Sequence, residues 1–204
     1  MLIFADARLT YLATPKTGST AVEMALRPKA DIVLAKKRKH MTAMRYRTKF
    51  APFLLEVFGI ETETVTVMRD PVDQIRSWYK YRSRGEVAGR PRATIGMTFD
   101  AFALAVAQDT PPEFAQIGSQ FSFLTDSSGS LLVDHLFAYE AQPAFLDFMM
   151  QRLDTEISLK RKNVSPERQA TLSADAAVVL RNARAEEFDL YDRLIAAGGY
   201  LGAS

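Results

Sequence analysis

The chain has 204 residues, of which 48% are apolar and 25% are charged, and its formal net charge is only +2. This length suits one domain with a sizeable core, so we predict a single domain over residues 1–204. Such a small net charge does not support general nucleic-acid binding, and we expect no nucleic-acid partner.

Cysteine is absent and there are two histidines. Disulfides, thiolate zinc sites and cysteine nucleophiles are therefore excluded, and a histidine-rich metal site has little scope, so we predict no metal. The N-terminus has no basic segment followed by an apolar one, and no apolar run approaches the ~20 residues of a membrane span. We therefore expect a cytoplasmic protein without a transmembrane segment.

The first organised stretch of the chain has the order strand, loop, helix. Apolar residues alternate from Leu9 to Ala13, which predicts a short buried strand. Pro15 then ends any ladder because it has no N–H group to pair, and Gly18 allows a tight turn. Apolar residues at helical spacing predict a helix from Ser19 onward.

A loop that leads into a helix N-terminus is suited to binding an anion, because the first N–H groups lack partners and the helix dipole is positive there. Lys16 adds a positive charge, and hydroxyl donors follow at Thr17, Ser19 and Thr20. The Walker A pattern GxxxxGK[ST] is absent, because Lys16 precedes Gly18. The alternative is a plain strand-to-helix turn with a capping serine or threonine.

The rest of the chain continues to alternate between short apolar runs and helical patterns. Strands are predicted at residues 31–35, 64–68 and 131–139. Helices are predicted at 42–58 with a kink near Pro52, at 71–82, 99–107 and 143–153, and once or twice within 166–194. Residues 83–94, rich in glycine, arginine and proline, predict a surface loop. This alternation predicts an α/β domain with a mostly parallel central sheet flanked by helices.

A second anion-binding candidate directly follows the predicted strand TVTVM. In open α/β sheets ligands collect at the carboxyl ends of the strands, so parallel neighbouring strands would bring Lys16 and Arg69 to one edge. A phosphate held between Arg69 and Ser77 would gain a charge-assisted hydrogen bond from the arginine. The alternative is that Arg69 pairs with Asp70 or Asp73, while Ser77 is a bystander.

Basic residues concentrate in three regions, at residues 36–49, 69–92 and 160–162. Each run can be a solvated face, which is the common meaning of such a run. The sharper hypothesis is that they converge on one anion, which only the fold can bring about.

Both loops resemble known motifs. The first resembles the 5′-phosphosulfate loop of sulfotransferases, usually PKxGTT, and here consists of Pro15, Lys16, Thr17, Gly18, Ser19 and Thr20. Arg69-Asp70-Pro71, with Ser77 eight residues after the arginine, resembles the 3′-phosphate motif of the same family. The order and spacing resemble compact bacterial relatives of carbohydrate sulfotransferases, and weaker landmarks such as KHMTA at 39–43 extend the resemblance along most of the chain. Ser19 replaces the first threonine of the usual loop.

The resemblance implies a P-loop-like three-layer α/β domain that moves a sulfuryl group from 3′-phosphoadenylyl sulfate (PAPS) to a hydroxyl or amine, leaving adenosine 3′,5′-bisphosphate (PAP). A saccharide or glycoconjugate is the expected acceptor, and no metal is required. The 5′-phosphosulfate would be held by the loop from Pro15 to Thr20, whose Lys16 also neutralises the leaving phosphate. Arg69 and Ser77 would hold the 3′-phosphate. By the same resemblance, Lys162 and Asn163 fall in a late loop near the nucleotide or the acceptor.

Sulfuryl transfer also requires a base for the proton of the acceptor. His40 is the candidate, because an imidazole with a pKa near ~6.5 suits general-base catalysis at neutral pH. Its basic neighbours favour the neutral form. The alternative is an exposed histidine ahead of a basic helix. Glu23 and Glu140 are reserve bases, and His135, within a strand pattern, is expected to be structural.

Two other functions stay open from the sequence. One is a nucleotide kinase-like enzyme of the P-loop class that uses ATP and Mg²⁺, against which the displaced lysine argues. The other is a non-catalytic module that binds anions or glycans on the same fold. Trp78 and Tyr81 either stack on a base or sugar or belong to packing.

Overall fold

The computed structural model describes residues 1–84, 89–159 and 170–202. Within these ranges the strands are Leu2–Phe4 (β1), Leu9–Tyr11 (β2), Ile32–Val33 (β3), Glu63–Met68 (β4), His135–Ala138 (β5) and Tyr200–Gly202 (β6). They form one open sheet in the order β3-β1-β2-β4-β5-β6. The α/β prediction is confirmed, but the sheet is mixed. Only the central strands β2, β4 and β5 are parallel, whereas β1, β3 and β6 pair antiparallel.

Two of the strand predictions have different outcomes. The predicted strand 64–68 is confirmed as β4, whose residues after Glu63 are all buried. The predicted strand 131–139 is too long, because the strand begins only at His135. Just before it, the carboxylate of Asp134 accepts from the backbone N–H and the hydroxyl of Thr64, at 2.7 and 2.8 Å. This side-chain pairing replaces a backbone ladder there.

Helices lie at Ser19–Leu26 (α1), Ala43–Arg45 (α2), Ala51–Phe58 (α3), Pro71–Arg82 (α4), Phe99–Val106 (α5), Gln120–Leu124 (α6), Gln142–Leu153 (α7), Ala174–Ala183 (α8) and Ala185–Ala196 (α9). They pack on both faces of the sheet, which is compatible with a three-layer α/β domain. On one face α1 and α7 join a buried cluster with the central strands, containing Val22, Phe145, Tyr11, Val65 and Phe137. On the other face α6 and α9 do the same, through Leu124, Leu190, Leu194, Leu12 and Leu136.

The helix predicted at 42–58 is interrupted, as its proline implies. Between α2 and α3 the chain makes a π turn over Tyr46–Phe50. The turn ends just before Pro52, which has no N–H group to continue the helical ladder. Gly59, with φ 66°, ends α3. The α-helical ladder is therefore interrupted near Pro52.

None of the helices in the described ranges combines the length and the apolar character needed to cross a bilayer.

Candidate functional site

The loop between β2 and α1 leaves the central sheet at the carboxyl end of a parallel strand. Lys16 and Gly18 both have left-handed backbones, with φ 68° and 72°. A Cβ on Gly18 would lie 3.3 Å from the ring of Tyr139, so glycine suits this turn both conformationally and sterically. The helix begins after Gly18 without a side-chain cap. The amides of Ser19 and Thr20 therefore have no intrahelical partner.

Hydroxyl groups of the loop have different roles. The Thr17 hydroxyl is buried and donates to the carbonyl of Thr14 at 2.9 Å, so it is engaged within the loop. The Thr20 hydroxyl accepts from the ammonium of Lys39 at 3.0 Å, which leaves its own hydrogen free to donate. Lys39 also lies 3.5 Å from the carboxylate of Glu23. This places a second lysine beside the first turn of α1.

Arg69 lies beside this loop, at the end of the neighbouring strand β4. Its Nη1 is 3.5 Å from the carbonyl oxygen of Lys16. From the following helix, Gln74 donates its Nε2 to the carbonyl of Pro15 at 3.2 Å. The two predicted anion-binding loops are therefore in direct contact, because β2 and β4 pair in parallel.

The guanidinium of Arg69 has loose contacts. It stacks on Tyr139, 4.7 Å from the ring centroid, and lies 3.8 Å from the carboxylate of Asp73. Asp73 pairs more closely with Arg76, so its carboxylate neutralises Arg69 only weakly. The Nε of Arg69 is buried and has no hydrogen-bond partner among the described residues. This donor is therefore unsatisfied within the protein, while the Arg69 side chain as a whole stays 23% exposed.

Ser77 lies on α4 and is half-buried. It follows Gln74 by one helical turn, and in the part of the chain that the structure describes no hydrogen bond links it to Arg69. Lys162 and Asn163 lie outside the described residues.

Lys16 is surrounded by aromatic rings and by other cations. Its Nζ is 3.6 Å from the ring centroid of Tyr81 and 4.7 Å from that of Trp78. The pKa of Lys16 is lowered to about 7, first by burial and then by nearby positive charges, led by Arg84 and Arg82 with smaller effects of Lys39 and Arg69. Two of the three basic regions thus converge on this lysine, while residues 160–162 lie outside the described part of the chain.

His40 is held by the same loop. Its Nδ1 is 2.6 Å from the carbonyl oxygen of Ala13. A carbonyl can only accept, so Nδ1 carries the hydrogen and the lone pair of the neutral ring is on Nε2. His40 is exposed overall, but its partial burial lowers its pKa. The hydrogen bond to the Ala13 carbonyl raises this pKa, whereas the positive charges of Lys39 and the N-terminus lower it further. The neutral form is therefore favoured at neutral pH, as a base requires.

The other titratable candidates have structural partners. Both nitrogens of His135 are engaged, one 2.8 Å from the hydroxyl of Tyr200 and one 3.3 Å from Glu63. Glu140 accepts from the backbone N–H of Asp70 at 3.4 Å. Among the described residues, no group of three or more histidines and carboxylates is placed to hold a metal ion.

Two glutamines of the site were assigned no functional role from the sequence motifs. Gln74 contacts the loop at Pro15, and Gln120 binds the backbone of Arg69. Both are buried, at 3% and 1% exposure. A polar glutamine among the buried positions of a helix, in α4 and in α6, is the signal that could have indicated them.

A cavity of about 660 Å³ lies at the opposite edge of the sheet, where β4 begins. Its lining includes Arg8, Arg47, Glu63 and Arg152, but neither Lys16 nor Arg69. Two of its arginines are already paired with carboxylates, Arg47 with Asp134 and Arg152 with Glu63. The convergence of several cations on Lys16 therefore favours the Lys16 loop as the functional site, despite the size of this cavity.

Comparison of the chain with family models, with curated proteins and with solved structures gave no match. Function is therefore inferred from the site itself. What the site offers is free helix amides, Lys16, Arg69 and a neutral imidazole at one edge of the sheet. Such a set suits binding of a doubly anionic ligand and transfer of a group between oxygen atoms.

Proposed function

We propose that this chain is a PAPS-dependent sulfotransferase on a P-loop-like fold, which transfers a sulfuryl group to a hydroxyl, or an amine, of a saccharide or glycoconjugate. The observation that carries the proposal is the 3.5 Å contact between Arg69 and the carbonyl of Lys16. It joins two loops that resemble the 5′-phosphosulfate and 3′-phosphate motifs. One nucleotide with phosphates at both positions would then be held by both loops.

On this proposal, binding depends on charge and on oriented amides. The amides from Thr17 to Thr20 would surround the 5′-phosphosulfate at the positive end of α1. The guanidinium of Arg69, whose side chain is 23% exposed, would donate to the 3′-phosphate, with Ser77 as a second donor. Neither role requires a metal ion.

The chemical step would be a direct displacement at sulfur. The acceptor oxygen forms the new bond to sulfur, while the bond from sulfur to the 5′-phosphate oxygen breaks and PAP leaves with the electron pair. The acceptor proton passes to Nε2 of His40, whose Nδ1 is held by Ala13. Lys16 neutralises the charge that develops on the leaving phosphate. Its lowered pKa means that it takes up a proton as this charge approaches.

A thermal-shift screen tests the proposal directly. PAP at 100 times its Kd should stabilise the chain by about 2.7 kcal/mol, and ATP with Mg²⁺ should stabilise it much less. Release of PAP from PAPS in the presence of a saccharide panel then identifies the acceptor. Stabilisation by ATP with Mg²⁺ but not by PAP would favour a kinase-like enzyme and contradict the proposal.

A further inference from the structure

Beyond the last residue of β4 the backbone of Arg69 no longer has a strand to pair with. The ladder between β4 and β5 ends at Met68 and Ala138. The side chain of Gln120, from α6, replaces the missing strand. Its Oε1 accepts from the N–H of Arg69 at 2.9 Å, and its Nε2 donates to the carbonyl of Arg69 at 2.9 Å. One side-chain amide thus forms both bonds that a neighbouring strand residue would supply.

The orientation of this amide is set by a buried carboxylate. Glu187, on α9, is 2% exposed, and its Oε1 accepts from the backbone N–H of Gln120 at 2.9 Å and from its Nε2 at 3.3 Å. An ionised carboxylate can only accept, so the amide must turn its NH₂ group toward Glu187 and its oxygen toward the N–H of Arg69. The other carboxylate oxygen is 2.9 Å from Arg184, which pairs the charge.

We propose that Gln120 is a positioning residue, which, with Glu187 behind it, fixes the backbone of Arg69 so that its guanidinium faces the Lys16 loop and the 3′-phosphate of the donor. This inference rests on the proposed function for the identity of the ligand. It adds a residue that touches neither phosphate nor acceptor. Among the described residues, the guanidinium has two weak polar contacts, at 3.5 and 3.8 Å, and stacks on Tyr139, so its direction also depends on the backbone from which it starts.

The test replaces Gln120 by methionine, which has a similar length and no hydrogen-bonding groups of comparable strength. The amide hydrogen of Arg69 should then exchange with solvent at least about tenfold faster, since its acceptor on Gln120 is lost. The Kd for PAP should rise about tenfold, whereas the Kd for inorganic pyrophosphate, which would use only the Lys16 loop, should stay within about twofold. General loss of structure would not separate the two ligands in this way.

Gln116→Met is the matched control, because Gln116 is exposed and, among the described residues, its side-chain amide donates to the carbonyl of Pro111 and has no contact with Arg69. It should leave exchange at Arg69 and both affinities unchanged. Glu187→Gln is the second variant, in case Gln120→Met does not fold. It keeps the side-chain volume but no longer dictates the orientation of the Gln120 amide. Exchange at Arg69 and the Kd for PAP should therefore change in the same direction as in Gln120→Met, but by less.

The outcomes separate the inference from the proposed function. We call the hold of Gln120 and Glu187 on the Arg69 backbone the glutamine clamp. Unchanged exchange of the Arg69 amide in both variants would overturn this clamp, whatever the ligand. Faster exchange with unchanged PAP affinity would overturn the positioning role. If the unsubstituted chain binds no PAP, the proposed function and the positioning role both fail, and exchange at Arg69 still decides whether the clamp exists.

Discussion

Binding of the donor product should draw a proton onto Lys16. The pKa of Lys16 is lowered to about 7 by burial and by nearby cations. At pH 8, roughly 90% of such a lysine is neutral. A bound 5′-phosphate would favour the charged form and raise the pKa toward its ordinary value. Binding of PAP at pH 8 should therefore take up about 0.9 proton, whereas at pH 6 this lysine should contribute only about 0.1.

The same coupling sets the pH dependence of affinity. Between pH 7 and pH 9 the Kd for PAP should rise roughly 50-fold, which corresponds to about 2.3 kcal/mol. The stability of the unliganded protein depends on pH in the opposite direction to its affinity for PAP. From pH 7 to about pH 10.5 the unfolded chain binds more protons at this lysine than the folded chain, so Lys16 makes the free protein more stable as the pH rises.

Isothermal titration calorimetry of PAP at pH 8, in two buffers of different ionisation enthalpy, measures this proton uptake. The pH is chosen because the phosphate and histidine groups titrate mostly below it. Lys16→Arg is the control, since a guanidinium stays charged throughout this range. Its proton uptake should fall to near zero and its affinity should hardly change between pH 7 and pH 9. Equal uptake by the two proteins would refute the reasoning.

Three further predictions concern single residues. Arg69→Ala should raise the Kd for PAP by about 10- to 150-fold and Ser77→Ala by less than about tenfold, because only the arginine supplies a charged donor; equal affinities for both variants and the unsubstituted chain, measured by calorimetry, would count against the assignment. His40→Ala should lower kcat about 10²- to 10⁴-fold in a PAP-release assay and leave the Kd for PAP unchanged; weakened PAP binding would instead indicate a structural histidine. Gly18→Ala should destabilise the chain in urea unfolding by more than Gly59→Ala, since both have positive φ but only the first has an aromatic ring 3.3 Å from the added Cβ; equal losses would show that this contact is unimportant.

The sequence predicts best those elements whose signals lie within a few residues. The strand β4 and the helix α4 follow one another in TVTVMRDP, where Asp70 caps the helix by accepting from the N–H of Asp73 at 2.8 Å. The three-residue strands β1 and β6 were not predicted. Each is too short for periodicity to register, and each pairs antiparallel with a strand that its own residues do not indicate.

In the candidate site, too, local motifs predicted some residues and gave no signal for others. The loop around Lys16 and the position of Arg69 were predicted from local motifs, and their contact confirms that the two lie together. Ser77, Lys162 and Asn163 stay predictions in their binding roles. The glutamine clamp on Arg69 had no local signal, because Gln120 and Glu187 are 67 residues apart and meet through the packing of α6 on α9.

What the sequence determined by itself is chemistry and local conformation: which segments become strands or helices, where a helix exposes its first amides, and which side chains carry charge. These depend on steric and hydrogen-bonding preferences among neighbouring residues. Only the tertiary structure decided that Lys16 and Arg69 share one edge, that burial and four nearby cations lower the pKa of Lys16, and that Ala13 selects the tautomer of His40. Each of these depends on electrostatic or hydrogen-bonding distance between residues far apart in the chain, and that distance exists only once the sheet has paired.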